Sequence, residues 1–120
     1  MDQKKNQEDF EALLRETKRE GIEYVIEDLE KGGFFDAPAS AGHHLNVPGG
    51  LSEHSLNVCR TGLAIWEGMK TLDAASMGEV KRESIILATL LHDVCKMDIY
   101  KRTMKKRKNK LGQWEDAEGY

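Results

Sequence analysis

Cysteine is nearly missing from this 120-residue chain, with Cys59 and Cys95 the only two. So sparse a supply excludes a disulfide framework. Both fall in expected helices, so the plain reading is a pair of reduced core thiols. The two prolines, Pro38 and Pro48, lie in one short segment. No apolar run approaches the ~20 residues that cross a bilayer, so no membrane partner is expected. The first residues, Met1-Asp2-Gln3-Lys4-Lys5-Asn6-Gln7, lack the apolar stretch of a signal peptide, and a cytoplasmic protein is expected. Apolar residues make up 39% of the chain against 32% charged. That balance supports one modest core under a charged surface, hence a single domain over 1–120.

Net charge is only -3, but it is unevenly spread. Between positions 101 and 110 stand Lys101, Arg102, Lys105, Lys106, Arg107, Lys108 and Lys110, with no acidic residue among them. Such asymmetry can mark a phosphate-rich partner such as nucleic acid. Aromatic residues are not interleaved with the cations, which favours the plainer reading of a solvated hairpin or loop. Tyr100 and Trp114 flank this run around a Gly112-containing centre, which predicts a short β-hairpin near 99–117. No internal repeat occurs.

The remainder reads as helices. Phe10, Leu13 and Leu14 form an i, i+3, i+4 stripe that predicts a helix over 7–19, ended by Gly21. Ile22, Val25, Ile26 and Leu29 predict a second over 22–31, ended by Gly32 and Gly33. Phe34 and Phe35 then enter the core from an irregular segment. Positions 36–50 form a loop by composition and carry His43 and His44. A third helix is expected over 51–70 with Ser52 as N-cap. Leu51, Val58, Ile65 and Met69 share one face of it, widened by Leu56, Leu63 and Trp66, and His54 lies in the same sector. The plain reading of His54 is a core histidine satisfied by a backbone carbonyl.

A fourth helix is expected over 79–96, and its end carries the chemistry. Ile85 to Lys96 is apolar almost all round, which marks a buried helix. Its exceptions are Thr89, His92, Asp93 and Lys96, at i, i+3, i+4 and i+7, which gather into one polar stripe. Buried His and Asp each need a partner or cost free energy. Asp93 also sits at the negative end of the helix dipole, so a cation should offset it. A metal ion is one candidate and Lys96 is the other. Two antiparallel helices could set His54 against His92 and Asp93. Two imidazoles and a carboxylate suit a divalent ion such as Mn, Fe, Ni, Co or Mg, with positions left for water and substrate. Such an ion activates water and polarises a phosphoryl oxygen.

At these residues the sequence resembles a known family. Gly49-Gly50-Leu51-Ser52-Glu53-His54-Ser55-Leu56, followed by Leu90-Leu91-His92-Asp93-Val94-Cys95-Lys96, is similar to the HD-domain metal-dependent phosphohydrolase superfamily. Phe34-Phe35-Asp36-Ala37-Pro38-Ala39-Ser40 is similar to the segment before the first histidine in bacterial and phage HD hydrolases. The same motifs resemble the HD domain of bacterial 3′→5′ exoribonucleases, in which a His-containing loop precedes Gly-Gly-Leu. The resemblance implies an all-α bundle with His54, His92 and Asp93 as metal ligands and with His44 and Lys96 near the substrate phosphate. It implies a metal-dependent phosphohydrolase acting on a nucleotide or another phosphoester. Cys95 stands where the family usually has glycine. The family's ligand set closes with an aspartate on a later helix, whereas Asp98 is too near the pair and Asp116 lies in an irregular tail. The chain is therefore expected to be the amino-terminal part of an HD domain, lacking its last helices. The alternative expectation is a catalytically incomplete helical module that binds a partner or nucleic acid through 101–110. Apolar surface left uncovered by missing helices would favour a homo-oligomer.

Overall fold

The computed structural model describes residues 1–101 and 103–120, so Arg102 of the basic run lies outside the described residues. Helices dominate: α1 (Gln3–Glu16), α2 (Ile22–Lys31), α3 (Gly50–Leu72), the one-turn α4 (Ala74–Met77) and α5 (Arg82–Leu91). A 3-10 helix (Val94–Asp98) follows, then strands β1 (Thr103–Lys108) and β2 (Trp114–Gly119), paired antiparallel as a hairpin. No described helix is long and apolar enough to cross a membrane.

α3 is the central rod. α5 lies along it, and α1 packs against both. The core between them holds Phe10 and Leu14 of α1, Ile26 and Leu29 of α2, Leu51, Leu56 and Cys59 of α3, and Ile86 and Leu90 of α5. Phe34 and Phe35 plug it from the turn after α2, as the sequence suggests. With Phe10 they form a tilted and edge-on trio whose ring centroids lie 4.9 to 5.4 Å apart. Trp66 closes the far end, its indole donating to the Val80 carbonyl at 2.9 Å.

Several expectations need correction. α1 begins four residues early because the Asp2 side chain accepts from the Lys5 N–H and caps it. That shift brings Asn6 into the helix and into the core. α3 is capped by Gly49, not Ser52, whose hydroxyl instead donates to the Gly49 carbonyl from inside the helix. Its buried face is Leu51, Ser52, Ser55, Leu56, Cys59 and Trp66, whereas Ile65 is 61% and Met69 44% exposed. The helix turned its shorter, denser stripe inward. Between the expected third and fourth helices, α3 runs on to Leu72 and α4 forms, and α5 starts only at Arg82. The last helix stops at Leu91 and gives way to the 3-10 helix, so it is neither as long nor as buried as its apolar sequence implies. Cys95 is consequently exposed, while Cys59 is the buried thiol, and both are free. Asp116 lies in β2, ion-paired to Lys106 at 2.7 Å, not in an irregular tail.

Candidate metal centre

Gly49 and Gly50 start the site. Gly49 has φ +81°, a left-handed conformation that turns the loop into α3. A Cβ on Gly50 would stand 2.0 Å from the Leu45 carbonyl oxygen, so only glycine lets the helix start against the histidine loop. One turn into α3, the Glu53 side chain accepts a hydrogen bond from Asn6 of α1. This bond anchors the start of α3 beside His54. It was not legible in the sequence, because Asn6 lay outside the expected first helix. The Asp2 cap was the signal that could have found it.

α5 approaches α3 closely at Gly62, where a Cβ would meet Thr89 Cγ2 at 3.1 Å and Ile85 Cγ2 at 3.4 Å. Close contact here sets the two histidines facing one another. Their rings lie 5.3 Å apart, centroid to centroid. His54 Nε2 is 3.3 Å and His92 Nε2 3.2 Å from the same oxygen, Asp93 Oδ2. The three candidate ligand atoms lie within 4.8 Å of one another.

The end of α5 explains how three side chains share one point. His92 is the C-cap, still helical, whereas Asp93 has φ −112° and ψ 18° at the start of the 3-10 helix. The tighter turn swings Asp93 back beside His92. His92 Nδ1 lies 2.6 Å from the Thr89 carbonyl oxygen. A carbonyl only accepts, so Nδ1 carries the proton and Nε2 is left to face the cluster. Thr89 itself spends its hydroxyl on the Ile85 and Ile86 carbonyls.

Lys96 completes the group, its ammonium 3.4 Å from Asp93 Oδ2 and 3.3 Å from the Ala39 carbonyl. Of the two cations weighed for Asp93 from the sequence, Lys96 lies beside it, and the three side chains form a candidate site for the other. His44 stands apart: it is exposed on the loop, and its main-chain carbonyl accepts from the Ser40 hydroxyl at 3.1 Å. Neither Asp98 nor Asp116 joins the cluster among the described residues. Beside the site, Val58, Thr61, Gly62, Ile65 and Thr89 line an apolar groove of about 350 Å³.

The donor set, two imidazole nitrogens and a carboxylate oxygen, all partly exposed, fits a divalent ion that takes further ligands from solvent. A mainly helical scaffold carrying a candidate two-histidine, one-aspartate metal centre is thereby defined. The family model described as HD domain matches residues 51–118, more than half of the chain, and spans both site helices and the hairpin. The chain belongs to the HD-domain family. No curated protein and no solved structure matches it significantly.

Proposed function

We propose that the chain is a metal-dependent phosphohydrolase acting on a nucleotide or another phosphoester. The observation that carries this reading is the convergence of His54 Nε2 and His92 Nε2 on Asp93 Oδ2, beside a lysine ammonium. A divalent ion held by these three residues supplies Lewis-acid polarisation of a phosphoryl oxygen and a more acidic water. The chain's own groups do the rest. Thr89 holds the His92 ring in register, and Asp93 sets the anionic charge of the site. Lys96 places a positive charge at its rim, where it stabilises charge developing on a phosphoryl oxygen. His44 is assigned to the same phosphate from the loop that Lys96 anchors.

The test is metal uptake by protein purified without chelator, titrated with Mn²⁺, Fe²⁺, Ni²⁺, Co²⁺ and Mg²⁺. Uptake is expected, and His92→Ala and Asp93→Asn each weaken it by more than about tenfold. Absence of uptake from the unsubstituted protein defeats the proposal. One observation favours a second reading, nucleic-acid binding without turnover: Trp114 is 66% exposed beside Lys108 on the basic hairpin. Salt-dependent binding of RNA or DNA that survives His92→Ala but not charge reversal of Lys105, Lys106 and Arg107 distinguishes it. Lys101, Lys108 and Arg102 belong to the same proposed contact.

A further inference from the structure

The basic strand does not present its charges to one side. Pairing sets Met104, Lys106 and Lys108 opposite Glu118, Asp116 and Trp114 on one face, and Lys105 and Arg107 opposite Ala117 and Glu115 on the other. On the first face the charges are largely answered: Lys106 pairs with Asp116 at 2.7 Å, and Lys108 lies over Trp114 at 5.4 Å. The second face turns back towards the loop that precedes α3. Lys105 is half-buried, and its ammonium donates to the Ala41 carbonyl at 3.4 Å.

That contact links the hairpin to the metal centre. Ala41 lies two residues from Ala39, whose carbonyl takes the Lys96 ammonium at 3.3 Å, and Lys96 is 3.4 Å from Asp93. Consecutive residues advance the chain by at most about 3.6 Å, so the two anchoring residues are no more than about 7 Å apart along the loop. Arg107 leans the same way. Its Nη2 donates to the Glu118 carbonyl at 3.5 Å. A Cβ on Gly119 would stand 3.0 Å from Arg107 Nη2 and 3.4 Å from Lys105 Cδ, so both side chains cross the partner strand at that glycine. Glu115, across the strand from Arg107, forms no ion pair with it among the described residues. Lys96, Lys105 and Arg107 therefore make a line of positive charge that starts at Asp93 and runs to the hairpin. Each ammonium keeps donor capacity after its carbonyl contact, and a guanidinium offers a planar fork to phosphate.

We propose that this line receives phosphates beyond the one that reacts. The substrate of the site is then a phosphate chain, either a phosphodiester-linked strand end or a nucleoside polyphosphate, and not a lone phosphomonoester. Lys105 and Arg107 are the residues that select it. This rests on the reading that the metal centre handles a phosphoryl group.

The experiment is calorimetric titration, in buffer free of divalent metal, with inorganic tripolyphosphate and with orthophosphate. A 5′-phosphorylated pentathymidylate and thymidine triphosphate then separate the two sources of the phosphate chain. Tripolyphosphate is expected to bind at least about tenfold more tightly than orthophosphate, as extra charge-assisted contacts require. Lys105→Met and Arg107→Met, both at the surface and checked for helicity, each weaken it by about fivefold or more, leaving orthophosphate unchanged. Lys110→Ala, at the hairpin tip and off the line, has no such effect. Equal affinity for the two inorganic probes, or an equal loss from Lys110→Ala, overturns the proposal. Metal uptake on the same samples keeps the two readings apart. Selectivity for tripolyphosphate without metal binding defeats the hydrolase reading alone, and metal binding without selectivity defeats this one alone.

Discussion

Asp93 Oδ2 is crowded for a single oxygen: two imidazole nitrogens and an ammonium reach it at 3.2 to 3.4 Å. None of these contacts is as short as a strong ion pair, which leaves room between the donors for an ion. Elsewhere, single residues show how neighbouring charge acts on the fold. Glu30 of α2 shares a hydrogen bond with Glu11 of α1, and that bond with the adjacent negative charge holds its carboxyl above the ordinary glutamate range. A carboxyl raised in the folded state contributes stability that is present at low pH and lost as pH rises through its folded value. Glu30→Gln, neutral at every pH, should therefore raise the melting temperature at pH 7. The difference should vanish below about pH 4, where the native carboxyl is protonated as well. Melting curves of both proteins across that range check the sign.

Helix α3 shows what periodicity can and cannot say. Its apolar residues outnumber the positions that one buried stripe can hold, so two overlapping faces compete. Val58, Ile65 and Met69 recur at near-heptad spacing, but Leu51, Leu56 and Cys59 join the core with α1, α2, α5 and the phenylalanine trio, and Trp66 is buried against Val80. Packing decided between them. Leu56→Ala should cost about 2–5 kcal/mol, as for other fully buried leucines. Ile65→Ala, on the exposed groove, should stay within about 0.5 kcal/mol. Urea denaturation of the two variants tests the assignment, and equal losses would mean that the Ile65 face is covered. The end of α5 is a second case. A mostly apolar run without glycine or proline gave no sign of a stop at Leu91, where the backbone switches to 3-10 geometry.

As a whole the molecule is long for its size. Its radius of gyration is 17.3 Å and its extents 58 × 33 × 22 Å. A compact chain of this length would have a radius near about 14 Å. The hairpin accounts for the difference, since among the described residues its strands pair with each other and pack broadly on no helix. A lone two-stranded hairpin is only marginally stable in water. Amide hydrogens of β1 and β2 should accordingly exchange about a hundredfold or more faster than those in the centre of α3. Exchange mass spectrometry reads this directly, and equal protection would show that the hairpin is held down. Binding of a phosphate chain along Lys105 and Arg107 should slow hairpin exchange selectively.

The sequence by itself determined the helical scaffold and the hairpin, and its motifs named His54, His92 and Asp93 as candidate ligands. These follow from local periodicity, from turn-forming residues and from motif spacing, which depend on neighbours along the chain. It also named Lys96 as a candidate partner for Asp93. Tertiary structure alone decided which face of α3 is buried, how Asn6 braces Glu53 and which hairpin cations turn back towards the site. Those outcomes depend on residues tens of positions apart arriving at one place, where mutual exclusion of side-chain volume and pairing of opposite charge choose among faces that the chain leaves open.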